Sequence, residues 1–156
     1  LTGREPISIQ IVSYFTLNLI VTMAILTVFL ERVTNLGGGD LIGKSDPYVK
    51  LELEQDNLVF DKNFGEKKSS TKNDEQNPIY NETFTWEIPS NMGINNLVLW
   101  VKIMDDDLLK DDKIGKCKIN LEDLDLSPTP LSLERVVDNN ILTKDARIYL
   151  KISYQP

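Results

Sequence analysis

Aspartate is the residue type in this chain whose placement most invites chemistry. One group falls in NLGGGDLIGKSD (residues 35–46), where Asp40 and Asp46 flank a glycine-rich stretch able to fold back on itself. A second is DDDLLKDD (residues 105–112). Ahead of it, Leu97, Leu99, Val101 and Ile103 alternate with the period of a half-buried strand. Continuing that alternation puts Asp105 and Asp107 on one side of the chain and Asp106 on the other. Crowded carboxylates repel one another unless a cation lies between them, and a hard cation such as calcium asks for roughly six to eight oxygen ligands in a flexible arrangement. Aspartate-rich loops are also common as solvated turns, and the spacing is not that of an EF-hand. The aspartates alone therefore leave both readings open.

Composition removes most competing chemistries. The chain has no histidine, hence no histidine-dependent triad and little scope for zinc or copper. Its one cysteine, Cys117, excludes an internal disulfide and points to a cytoplasmic setting. With 24 acidic against 17 basic residues the net charge is −7, unfavourable for a nucleic-acid backbone. The hydrophobic share of 41% and charged share of 26% are those of a globular domain, and 156 residues suit one such domain.

The elements that must position the aspartates are strands. Besides 97–103, β-branched and aromatic runs occur at 24–32, 47–55, 58–60 with 67–72, 82–88, 116–121, 131–137 and 148–154, separated by Gly, Asn, Asp, Pro and Ser clusters. This pattern predicts an all-β fold, an eight-stranded antiparallel Greek-key β-sandwich. NLEDLD (residues 120–125) suits one helical turn capped by Asn120. Residues 7–30 carry no charge and are long enough to span a bilayer, but they include Gln10 and Asn18, and their last third is needed as the first strand. The sequence does not begin with Met. The expectation is an N-terminal extension over 1–22, with Met23 as a natural start, and a domain over 23–156.

Three motifs then stand in register. GKSDPYVKLEL (residues 43–53), NPIYNETFTW (77–86) and DDKIG (111–115) occur in the order and spacing of C2 domains such as those of synaptotagmins, protein kinase C and small plant C2 proteins. The chain resembles that family over roughly residues 23–154. The resemblance implies two or three calcium ions held by five aspartates in two loops at one end, which then docks on phospholipid head groups. Carried over residue by residue, the ligands are Asp40 and Asp46 in the first loop and Asp105, Asp107 and Asp112 in the third. The backbone carbonyls of Gly39 and Asp106 are further candidates. The third loop is about one residue shorter than the commonest family pattern, so Asp111 competes with Asp112 for the last position, and an alignment anchored on Ile114-Gly115 would instead promote Asp106 over its neighbours. Asp105 and Asp107 are kept because the core alternation fixes their facing. The terminal strand resembles the one that closes the type II topology of the family. Pro47, Tyr48, Pro78, Tyr80 and Trp86 read as packing and turn residues rather than ligand contacts.

Beside the aspartates lie two aliphatic pairs, Leu41-Ile42 and Leu108-Leu109. Exposed at a loop tip, such pairs are stabilised among acyl chains by about 0.8 kcal/mol per methylene; the alternative is that they fold back onto the loops. Lys44 and Lys110 flank them and suit an anionic surface. Lys67, Lys68 and Lys72 read first as a solvated face and second as a lipid head-group site. The expected function is a calcium-dependent module for anionic phospholipid membranes: cytoplasmic, peripheral, monomeric, without nucleic acid and open to protein partners. Two other classes compete, a calcium-independent protein-interaction domain and an enzyme using paired carboxylates. The last lacks any cleft-forming insertion.

Overall fold

The computed structural model describes residues 22–37, 45–57, 61–107, 111–139 and 145–156. Eight strands form: β1 (Met23–Thr34), β2 (Pro47–Gln55), β3 (Lys62–Lys68), β4 (Ile79–Pro89), β5 (Leu97–Asp105), β6 (Asp112–Asn120), β7 (Leu131–Val136) and β8 (Arg147–Gln155). They make two four-stranded sheets, ordered β4-β1-β8-β7 and β3-β2-β5-β6, with every neighbouring pair antiparallel. The last strand thus inserts between β1 and β7, so the C-terminal segment completes one sheet rather than trailing from it.

The core follows from the alternation. Leu97, Leu99, Val101 and Ile103 of β5 are all fully buried, as are Leu26, Val28 and Leu30 of β1 and Leu51 and Leu53 of β2. Ile148, Leu150 and Ile152 of β8 complete the opposite wall. Two polar contacts tie the sheets where strands turn: Tyr80 Oη donates to the Pro47 carbonyl at 3.0 Å, and Trp86 Nε1 donates to the Gly65 carbonyl at 3.2 Å. Tyr80 and Trp86 belong to the core cluster and pack the sandwich as anticipated, whereas Tyr48 is buried on the outward face of its sheet, beneath Lys68 and bonded to Asp111. Burial also pushes the Cys117 thiol up to about 11, which keeps it neutral.

Two expectations need correction. The third strand runs over Lys62–Lys68, not through to residue 72, and the segment 58–60 lies outside the described residues. β3 is an edge strand with little apolar content, and its register shifts opposite Leu53 and Glu54, beside Gly65 with φ 103°. A short 3₁₀ turn does form at Leu121–Asp123, but Asn120 makes no capping bond to it; its amide donates to Asp123 Oδ2 instead. A second 3₁₀ turn, Ser90–Met92, carries no sequence signal strong enough to have been expected.

Gly115, the last residue of the DDKIG motif, shows what such a motif residue is for. A Cβ there would lie 2.6 Å from Val137 Cγ1 and 2.9 Å from the Asp138 carbonyl oxygen. That carbonyl accepts from the Lys116 N–H at 3.0 Å, and the Asp138 N–H returns a bond to Lys116 at 2.8 Å, pinning the segment after β7 to the edge of β6. Gly115→Ala should therefore cost about 1–3 kcal/mol by overpacking, read as a lower midpoint in urea unfolding. A midpoint equal to that of the parent chain would show that the contact yields freely.

Candidate metal centre

Antiparallel pairing brings the β1–β2, β3–β4 and β5–β6 connections to one end of the sandwich. Pro47 is opposite Asp105, and Asp105 is opposite Asp112. A register shift between Ile103 and Met104 takes up one residue of β6, so Asp112 returns to the side of the sheet that Asp105 occupies. The Asp46 N–H donates to Asp105 Oδ1 at 2.7 Å, and the Asp106 N–H donates to the Asp46 carbonyl at 3.1 Å. From the third connection, the Asp74 N–H donates to Asp46 Oδ1 at 2.8 Å. Two carboxylates from distant parts of the chain are thus held by backbone donors at fixed positions.

Electrostatics at this point are those of crowded like charges. Partial burial raises the Asp105 carboxyl above the usual carboxylate range, and the negative charges of Asp107, Asp46 and Asp112 raise it further. The Asp46 N–H opposes them but does not prevail. Every donor at the site is oxygen, and histidine and thiolate are absent, which fits a hard cation. Among the described residues no three carboxylates close on a single point as a complete metal-holding group.

The remaining third-loop aspartates face elsewhere. Asp106 Oδ2 accepts from Thr71 Oγ1 at 2.8 Å. Asp111 accepts from the Tyr48 hydroxyl, and that bond, with the nearby Lys68 charge, holds its carboxyl below the usual range. The same contact, after burial, drives the Tyr48 phenol well upward. Asp107 and Asp112 therefore act on Asp105, while Asp106 and Asp111 are taken up by hydroxyl donors. Thr71 and Asp74 are participants that the sequence reading missed. The available signal was the Asn73-Asp74 pair, a turn-forming dipeptide in which Asp74 adopts φ 53°.

Gly39, Asp40, Leu41, Ile42, Lys44, Leu108, Leu109 and Lys110 lie outside the described residues. The three basic residues of the β3 region do not share one surface. Lys68 Nζ sits 3.6 Å from the Tyr48 ring centroid, Lys67 Nζ 5.9 Å from that of Trp86, and Lys72 Nζ 5.6 Å from that of Tyr80. Strand alternation separates the first two, and Lys72 lies beyond the strand.

The family model of the C2 domain matches residues 24–135. Synaptotagmin-1 of Caenorhabditis elegans is 39% identical over 104 residues, which are 66% of this chain and 22% of that protein. The chain spans about a fifth of the length of the curated relatives it matches. Among solved structures, a C2 domain of plant extended synaptotagmin 1 superposes with a TM-score of 0.69 at 22% identity, covering 85% of this chain and 95% of that one. Human GIVD cytosolic phospholipase A2 superposes with a TM-score of 0.66 at 25% identity, covering 85% of this chain and 17% of that enzyme.

Proposed function

The chain belongs to the C2 domain family, and from that premise we propose that it is a calcium-dependent module binding anionic phospholipid membranes through the aspartate-bearing end of the sandwich. The observation that carries this reading is Asp105: its carboxyl is fixed by the Asp46 N–H while lying under the joint repulsion of Asp46, Asp107 and Asp112. A fold gains nothing from that repulsion unless a cation relieves it.

The residues proposed to hold calcium are Asp40, Asp46, Asp105, Asp107 and Asp112, with the carbonyls of Gly39 and Asp106. Asp112 is preferred over Asp111 because Asp111 is already the acceptor for Tyr48. Bound calcium would supply the positive charge that lets this acidic end approach anionic head groups. Five aspartates give the end about −5 charges, and two ions would offset about 4 of them. Backbone N–H groups aim two of the carboxylates, that of Asp74 acting on Asp46 and that of Asp46 on Asp105. Leu41, Ile42, Leu108 and Leu109 supply apolar insertion, and Lys44 and Lys110 supply charge at the head-group level. The proposed unit runs over 23–156 and acts as a monomeric binding module without catalysis, recruited from the cytoplasm as a peripheral protein.

Co-sedimentation with vesicles tests the reading. Phosphatidylserine-containing vesicles should pull the protein down with calcium and release it on chelation, while neutral phosphatidylcholine vesicles should retain much less. Retention indifferent to calcium would instead favour a calcium-independent interaction domain on the same fold.

A further inference from the structure

The outward face of the sheet β3-β2-β5-β6 carries four lysines abreast. Lys68 is opposite Lys50, Lys50 opposite Lys102, and Lys102 opposite Lys116. Like charges directly opposed across a ladder are destabilising, and in a chain of net charge −7 such a row does not follow from a basic composition. Carboxylates offset three of the four: Lys50 Nζ lies 3.5 Å from Glu66, Lys102 Nζ lies 2.7 Å from Glu52, and Lys68 lies near enough to Asp111 to lower its carboxyl. The two ends rest on aromatic rings, Lys68 on Tyr48 and Lys116 on Trp100 at 5.4 Å from its centroid. At the Lys116 end the face hollows into a groove of about 340 Å³ lined by Glu52, Glu54, Trp100, Lys102, Lys113 and Lys116. Among the described residues neither Lys113 nor Lys116 has a carboxylate within ion-pair distance.

We propose that this groove docks an extended acidic segment of another protein, with carboxylates on Lys113 and Lys116 and an apolar side chain on the Trp100 indole. Alternate side chains of an extended peptide fall on one side about 7 Å apart, so an acidic residue and an apolar one two positions away can both face the groove. Half-buried Trp100 has Lys116 and Lys118 within 5.4 and 5.5 Å of its ring centroid and contributes apolar surface between them, and the volume suits a few side chains rather than a folded element. A bilayer is the poorer occupant for two reasons. At about 3.3 Å per residue, Trp100 sits roughly 17 Å along β5 from Asp105, and Lys116, opposite Lys102, roughly 10 Å, so that only Lys113, opposite Met104, lies beside the proposed membrane end. A uniformly anionic surface would also meet Glu52 and Glu54 on the opposite wall, whereas a peptide can place its charges on the lysine side only.

The intrinsic fluorescence of Trp100 provides the test, since the other tryptophan, Trp86, is buried. A twelve-residue peptide of Glu-Ser-Leu-Ser repeats, added without calcium or vesicles, should change the emission saturably at low salt. The change should fade by about 0.5 M salt, and a Lys-Ser-Leu-Ser peptide should produce none. Lys116→Glu should weaken the acidic peptide at least about fivefold, with calcium-dependent retention on phosphatidylserine vesicles unchanged; Lys113 is kept because it adjoins the proposed ligand Asp112. Trp100→Leu should remove the emission change. No saturable response, or an equal response to the lysine peptide, would overturn the proposal. So would a Lys116→Glu variant that loses vesicle retention as severely as peptide binding, because the face would then be a membrane surface.

Discussion

Asp105→Asn combined with Asp107→Asn should lower calcium affinity by at least about 100-fold, abolish calcium-dependent vesicle retention, and leave the metal-free protein more stable than the parent chain. The first two effects follow from removing two of five proposed carboxylate ligands. The third separates a metal site from a solvated turn. Asparagine keeps an Oδ1 that can still accept from the Asp46 N–H, so the loop anchor survives while the charge does not. The Asp105 carboxyl is raised by burial and by three neighbouring carboxylates, so its ionisation opposes folding when no cation is present. The sign is fixed by linkage: a group with a raised folded value adds stability below its unfolded value and loses it as pH rises through the folded one. The stability gap between variant and parent should therefore widen as pH rises through the carboxylate range. Thermal unfolding in chelator at several pH values would measure it. An unchanged or reduced stability at neutral pH would mean that the aspartates are ordinary turn residues.

The side of the sheet on which Asp105 lies was legible because it extends a clean alternation. Leu97, Leu99, Val101 and Ile103 are apolar at every second position, and a period-two pattern admits one facing only. Asp111 against Asp112 was not legible. The loop is short, and the features behind the proposed preference for Asp112, the Tyr48 bond to Asp111 and the register shift at Ile103 and Met104, are ones that no side-chain pattern announces. Thr71 and Asp74 were missed for another reason. They reach the site through the path of β3 into β4, and their contributions, a hydroxyl and a backbone N–H, are available on many loop residues. β3 itself shows how an edge strand escapes notice: Phe64 is its only large apolar residue, and the rest of Lys62–Lys68 is polar or glycine because one side faces water. The lysine row was equally hidden. Lys68, Lys50, Lys102 and Lys116 are far apart in sequence and become one feature only when three registers are known together.

Trp86→Ala should give the largest loss of stability, about 3–5 kcal/mol, and it should reach the metal end without touching it. Trp86 is 3% exposed on the inner side of β4, opposite Leu26 of β1, and its Nε1 donates across the sandwich to the Gly65 carbonyl in β3. Truncation removes the ring from the core and leaves that carbonyl in the register-shifted part of β3 without its donor. β3 and β4 bracket the connection carrying Thr71 and Asp74, so loosening their packing should also loosen the donors on Asp106 and Asp46. For a domain of this size each kcal/mol is worth roughly 2–4 °C, so the thermal midpoint should fall by about 10 °C. Trp86→Phe retains the ring volume in part and should lose less than half as much. If packing at Trp86 steadies the metal end, Trp86→Ala at a temperature where it remains folded should need more calcium for half-maximal vesicle retention than the parent chain. An equal calcium requirement in a demonstrably folded variant would show that the three connections are held by their own hydrogen bonds and do not depend on the core beneath them.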